Sequence, residues 1–262
     1  MNDLIYVYCL ANSPPGLDAI NHFSNLISLK VGDFYVVMKN VDRVEFSEEN
    51  FKERISNIEW LEANAREHVT VINKIMEKCT VIPFKFGTIF HSDEGLRMFI
   101  ADYSLSLTEN FNYIEGKEEW AVKVFCDRQV LSERIDELSS EAAELEKQIM
   151  ESSPGKAFLL KRKKTELIEN EIGRLCKVYG QQYFNGFENL SESTSLNNLL
   201  PKEFTGREDT MILNAVFLVR KTRVGEFVSF VEQMKRTNDK SGFFIDSNGP
   251  WPPFSFISIK EK

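Results

Sequence analysis

Glu118-Glu119-Trp120-Ala121-Val122-Lys123-Val124-Phe125-Cys126 alternates apolar and polar side chains as a half-buried strand does, and the change of period just beyond it decides the fold. The change begins at Asp127. Leu131, Ile135, Leu138, Ala142, Leu145 and Ile149 recur every four and three residues, a heptad seam about three repeats long. The seam reverses at Ser152-Ser153-Pro154-Gly155, where Ser153 is placed to cap and Pro154 to open a return helix. Leu160, Leu167, Ile168, Ile172, Leu175 and Tyr179 then form the answering stripe. Two helices of about 22 residues make a hairpin roughly 33 Å long. Lys161-Arg162-Lys163-Lys164 on the return arm faces an acidic first arm, which predicts a solvated, salt-bridged face.

Downstream, residues 180–208 read as a polar connector, with Asn185-Gly186 and Ser191-Glu192-Ser193-Thr194-Ser195 as turn signals. Residues 210–219 form a buried strand. A helix at 224–236 carries Phe227, Val228, Val231 and Met234, and Phe243-Phe244-Ile245 is a last strand. Strand, helical excursion, strand, helix, strand, closed by residues 254–259, predicts a ferredoxin-like α+β domain over 116–262, its first crossover enlarged into the hairpin at 128–179.

Upstream, residues 1–115 read as a separate mixed α/β unit, so the fold class expected is α+β in two domains. Leu4-Ile5-Tyr6-Val7-Tyr8-Cys9-Leu10 is a first strand, ended by Pro14-Pro15-Gly16. A short helix is read at 17–25 and a second strand at 34–38, with 41–46 as an optional continuation. Ser47 offers a capping oxygen, followed by Glu48 and Glu49. Over about 58–78, Leu61, Ala65, His68, Ile72, Ile75 and Cys79 share one helical stripe, which turns His68 inward. An inward histidine without a second one at ligand spacing is expected to be a hydrogen-bonded core residue. Pro83 and Gly87 interrupt the strand pattern of 79–90, which predicts an edge, a bulge or a close backbone approach. A helix comes next over about 93–113, with Leu96, Phe99, Ile100 and Tyr103 on one face.

Composition narrows the function. The net charge of −8 argues against nucleic acid, whose phosphates reward a basic face, and against an anionic membrane surface. No apolar run reaches the about 20 residues of a spanning helix, and no leader pattern opens the chain, so a cytoplasmic protein is expected. Cys9, Cys79, Cys126 and Cys176 are scattered and read as reduced, mostly buried thiols. His22, His68 and His91 lie far apart, and no hydrolase, metalloprotease, dinucleotide or metal-loop motif is present. The expectation is therefore no catalytic site, no cofactor and no metal. The rival reading is an enzyme or small-ligand module using a pocket near His68 between the two domains.

Near the end stands Ser247-Asn248-Gly249-Pro250-Trp251-Pro252-Pro253-Phe254-Ser255-Phe256. Its prolines fix φ and remove donors, so it should lie on the surface of a sheet or along its edge, with Trp251, Phe254 and Phe256 under apolar cover. Trp60, Ala63 or Ala65 and His68 on one helix, then Val81-Ile82-Pro83-Phe84-Lys85-Phe86-Gly87-Thr88-Ile89-Phe90, then Gly249-Pro250-Trp251-Pro252-Pro253-Phe254-Ser255-Phe256, together resemble the gas vesicle GvpF/GvpL family. The resemblance implies an accessory protein of these gas-filled buoyancy shells. It also implies two α+β domains, the C-terminal one ferredoxin-like, and as partners the hydrophobic shell protein and other accessory proteins during nucleation and assembly. It carries over no catalytic residue. His68, Pro83, Phe86, Gly87, Gly249, Pro250, Trp251, Pro252 and Pro253 are read as the determinants of shape.

Overall fold

The structure, a computed structural model, describes residues 3–17, 25–238 and 241–260. Residues 18–24, the body of the helix expected at 17–25 and His22 with it, lie outside the described residues. By its contacts the chain divides into two compact units, Met1–Glu119 with Pro250–Lys262, and Trp120–Gly249.

In the first unit, β1 (Leu4–Ala11) is buried along its whole length, because a run of apolar residues without alternation satisfies two faces at once. It pairs antiparallel with β3 (Phe34–Val41), which pairs antiparallel with β2 (Leu26–Val31). On its other side β1 pairs with β4 (Val81–Pro83) at one end and β5 (Ile89–Phe90) at the other. These are two pieces of one interrupted edge strand, as Pro83 and Gly87 predict. A register shift between Val7 and Cys9 puts Tyr8 and Cys9 on the same face. Helix α1 (Glu48–Ile55) is capped by Ser47. Helix α2 (Ile58–Met76) buries His68, Val71, Ile72 and Ile75 against the face carrying Tyr6, Tyr8 and Cys9. The helix read at 93–113 breaks at Tyr103 into α3 (Asp93–Asp102) and α4 (Ser104–Ile114), which cover the opposite face through Leu96, Ile100, Leu107 and Phe111.

The second unit has strand order β7-β8-β6-β9, with β6 (Lys117–Cys126), β7 (Ser193–Leu196), β8 (Thr210–Arg220) and β9 (Phe243–Trp251). In chain order that is 2-3-1-4, the ferredoxin-like arrangement. The seam expected as one helix is buried but segmented into α5 (Arg128–Glu133), α6 (Ile135–Leu138) and α7 (Ser140–Met150). Ser139 leaves helical geometry and accepts from the Ala142 N–H, so the third segment has its own cap. The return helix α8 runs Pro154–Glu188, 35 residues or roughly 52 Å, well past the end read at 179. Pro154 opens it as expected, but Ser153 makes no capping bond. Its buried residues, Ile172, Leu175, Gly180, Tyr183 and Phe187, all lie in its second half. Lys164 bonds Asp136 and Glu146 at 2.9 and 2.8 Å, tying α8 to the first arm, while Lys161, Arg162 and Lys163 are solvated. The supposed connector holds β7, paired antiparallel with β8, and a turn of helix, α9 (Lys202–Thr205). Helix α10 (Val224–Asn238) packs Phe227 and Val231 into the same core.

Residues 254–259, read as closing the second domain, pack on the first unit, where Ile257 and Ile259 meet the Leu107 and Phe111 core.

Candidate functional site

Phe84, Lys85, Phe86, Gly87 and Thr88 leave the line of β4 and β5, and α2 holds them in place. The His68 ring is 2% exposed. Its Nε2 lies 2.9 Å from the Phe84 carbonyl, which can only accept, so Nε2 carries the hydrogen. Nδ1 is then the acceptor and takes the Tyr6 hydroxyl at 2.8 Å. The Gly87 N–H donates to Tyr6 Oη at 3.3 Å, which closes a relay from one side of the loop to the other. Burial drives the His68 pKa below its ordinary value, as a neutral ring with one donor and one acceptor requires.

Beside it, Tyr8 donates to Glu67 at 2.6 Å and Lys39 donates to the same oxygen at 2.7 Å. Burial by itself would raise the Glu67 carboxyl, but these two donors hold it below the ordinary range. Phe46, Phe51, Trp60 and Phe86 wall the network with edge and tilted ring contacts of 5.9 to 6.5 Å. Gly87 has φ +82°, and a Cβ there would come within 2.8 Å of the Phe51 ring. Only glycine fits. The space among Tyr6, Tyr8, Lys39, Trp60 and Glu67 is about 10 Å³, room for one water.

His68, Phe86 and Gly87 therefore meet around the Tyr6 hydroxyl, Phe86 and Gly87 half-buried, while Pro83 pairs with Cys9 at the end of β4 just before the loop. Gly249, Pro250, Trp251, Pro252 and Pro253 form the end of the edge strand β9 and its exit. The aromatic cover expected there is reversed: Pro252 and Pro253 are buried, while Trp251 and Phe254 are 37% and 36% exposed. Polar bonds also anchor this segment. Glu119 accepts from the Ser255 N–H and Oγ, each at 2.9 Å, and Asn110 takes both the N–H and the carbonyl of Ser258, each at 3.0 Å. Tyr6, Lys39, Glu67, Glu119 and Asn110 were not singled out from the sequence. The one available signal was a polar atom inside an apolar period.

Burial raises the Glu119 pKa, and its two bonds from Ser255 lower it only in part. A raised folded-state pKa means that the folded form holds the proton more tightly. The associated stability is complete below the ordinary glutamate value and is lost as pH rises through the folded pKa. Glu119→Gln keeps both bonds to Ser255 and is expected to lie within about 0.5 kcal/mol of the parent at pH 7. In urea titrations the parent should gain on this variant as pH falls toward about 4.3. A difference independent of pH would contradict the assignment.

Among the described residues, no group of three or more histidine, cysteine, aspartate or glutamate side chains is disposed to hold a metal ion, and no helix is long and apolar enough to cross a membrane. Among the described residues, the most exposed large apolar side chains of the second unit stand at two places. Met150, Phe158 and Leu159, at the hairpin turn, are 76%, 71% and 67% exposed. Leu196 at the end of β7, with Leu199 and Phe204 beyond it, is exposed as well.

The backbone resembles the crystal structure of the gas vesicle protein GvpF from Anabaena sp. PCC7120, with a TM-score of 0.71 at 19% identity, covering 99% of this chain and 100% of that one. It also resembles that of GvpF from Microcystis aeruginosa, with a TM-score of 0.67 at 18% identity, covering 97% and 99%. In sequence the chain is 23% identical over 234 residues to gas vesicle protein L of Streptomyces sp. (strain CB03234), spanning 89% of this chain and 84% of that protein. The profile of the family described as gas vesicle synthesis protein GvpL/GvpF matches residues 4–258, so the chain belongs to that family.

Proposed function

We propose that this protein is an accessory factor of gas vesicle nucleation and assembly that binds the hydrophobic shell subunit, other accessory proteins, or both, in the cytoplasm, and that it acts by binding and not by catalysis. Membership of the family carries the gas vesicle role. The observation that supports a binding role is the apolar end of the hairpin, where Met150, Phe158 and Leu159 are each more than two-thirds exposed. Side chains of that kind, grouped on one end of a helical pair, suit transient cover of another protein's apolar surface. Against the rival reading of a small-ligand site centred on His68 stands the fact that both ring nitrogens already have partners inside the unit.

Co-expression with the shell subunit and the other vesicle proteins tests the proposal. The parent chain should retain at least one of them through affinity purification. The triple variant Met150→Ser, Phe158→Ser and Leu159→Ser should keep the parent's melting temperature, since solvent-facing substitutions cost about 0.5 kcal/mol or less. It should lose at least about tenfold in retention, equivalent to 1.4 kcal/mol. A parent chain that retains none of the vesicle proteins, in cells that make normal vesicles without it, would overturn the reading. Retention unchanged by the triple variant would move the contact off the hairpin end.

A further inference from the structure

Cys126 ends β6 and Cys176 lies on α8, 50 residues apart in sequence, yet their sulfurs are 3.3 Å apart. The two sites differ. Cys126 is fully buried, whereas Cys176 is partly open to solvent. We propose that Cys126 and Cys176 form an oxidisable dithiol, a modification site that hydrogen peroxide converts into an intrachain disulfide joining β6 to α8.

The chemistry rests on the unequal environments. While both thiols are protonated, either can donate the single hydrogen bond between the sulfurs. The first proton leaves Cys176, because the Cys126 S–H then donates to its thiolate and the Arg128 guanidinium stabilises the charge. Together these outweigh burial and hold Cys176 below its ordinary value. Cys126 is pushed up by that same bond, by burial and by neighbouring Asp127, and keeps its proton. Tyr183, whose buried hydroxyl has no hydrogen-bond partner among the described residues, adds no competing donor.

Cys176 is thus the attacking sulfur and Cys126 the resolving one. The Cys176 thiolate attacks one peroxide oxygen, the O–O bond breaks, and the departing hydroxide takes a proton to become water, leaving a sulfenic acid on Cys176. The Cys126 sulfur then attacks the Cys176 sulfur. The S–S bond forms, the S–O bond breaks, and the hydroxide leaves as water with the Cys126 proton. The sum is two thiols and one hydrogen peroxide giving one disulfide and two waters, with each sulfur oxidised by one electron. The sulfurs must close to about 2.05 Å, a movement of side chains 3.3 Å apart. The other two cysteines offer a contrast: Cys9 and Cys79 are both buried, and Cys79 spends its S–H on the carbonyls of Ser13 and Pro14.

The bond would close a long loop that contains the whole first arm of the hairpin, so the oxidised chain should unfold at a higher temperature than the reduced one. The test treats the reduced full-length protein with a small excess of hydrogen peroxide, then maps thiols by alkylation and intact mass. The expected result is a loss of two mass units, two of four thiols remaining, a Cys126–Cys176 linked peptide, reversal by dithiothreitol and a higher melting temperature. In Cys126→Ser the Cys176 sulfenic acid should persist and be trapped by dimedone. In Cys176→Ser peroxide consumption should fall at least tenfold. Four free thiols after a treatment that oxidises a thioredoxin-type control would overturn the proposal. So would irreversible oxidation of Cys176 in the parent without the linked peptide.

Discussion

Replacing His68 with alanine is expected to destabilise the first unit by about 3 kcal/mol, through a lost buried ring and two partners left without their bonds. The Phe84 carbonyl loses its donor, and the Tyr6 hydroxyl loses the acceptor that orients it toward the Gly87 loop. Tyr6→Phe removes only the relay and should cost about 1 to 2 kcal/mol. Urea denaturation measures both, and amide exchange at Phe84 and Gly87 locates the damage. His68 also leaves a signature in pH. Its folded pKa lies below the ordinary value of about 6.5, so its contribution is complete above that value and is lost as pH falls toward the folded pKa. The parent should therefore lose stability on mild acidification where His68→Ala does not, a sign opposite to that of Glu119. If His68→Ala cost less than about 1 kcal/mol and kept the parent's acid slope, the loop would not depend on the histidine. Loss of turnover or of small-ligand binding in that variant, with stability intact, would instead favour the small-ligand reading.

How legible the molecule was depended on whether a feature was local. Continuous apolar character announced β1, the stripe of α2 announced an inward His68, and the seam announced the hairpin. Two glycines concealed the true end of α8. Gly180 and Gly186 look like breakers, yet each is a point of close approach inside a continuing helix. A Cβ at Gly180 would stand 3.0 Å from the Ile212 carbonyl, and one at Gly186 2.6 Å from the Phe230 ring. β7 was hidden for another reason. Ser193-Thr194-Ser195-Leu196 at a sheet edge is held by its ladder to β8 and needs little burial, so it carries no apolar signal. The polar latches were beyond local reading altogether, because Glu119 and Ser255 are 136 residues apart and Asn110 and Ser258 are 148 apart. The Cys126–Cys176 approach belongs to the same class, since spacing in sequence says nothing about two sulfurs brought together by a helix folding back on its strand.

Removal of the Phe187 ring should have the largest effect in the second unit, about 4 kcal/mol for Phe187→Ala. The residue is fully buried near the C-terminal end of α8, and its ring centroid lies 5.5 Å from Phe217 on β8 and 5.2 and 5.0 Å from Phe227 and Phe230 on α10. One side chain thus joins the hairpin's return helix to a central strand and to the second crossover helix. Alanine would leave a void walled by three rings, and aromatic walls on separate elements collapse poorly, which puts the cost toward the upper part of the usual range. Phe187→Leu fills most of that void and should cost about 1.5 kcal/mol. The ratio of the two separates a packing role from a merely local one. Because His68 and Phe187 sit in different units, the double variant should lose close to the sum of the single losses. Amide exchange should place each loss in its own unit. A Phe187→Ala cost below about 1.5 kcal/mol would mean that the hairpin root is held by something other than this aromatic cluster, and the attachment of the proposed binding arm would then have to be sought along Ile172 and Leu175.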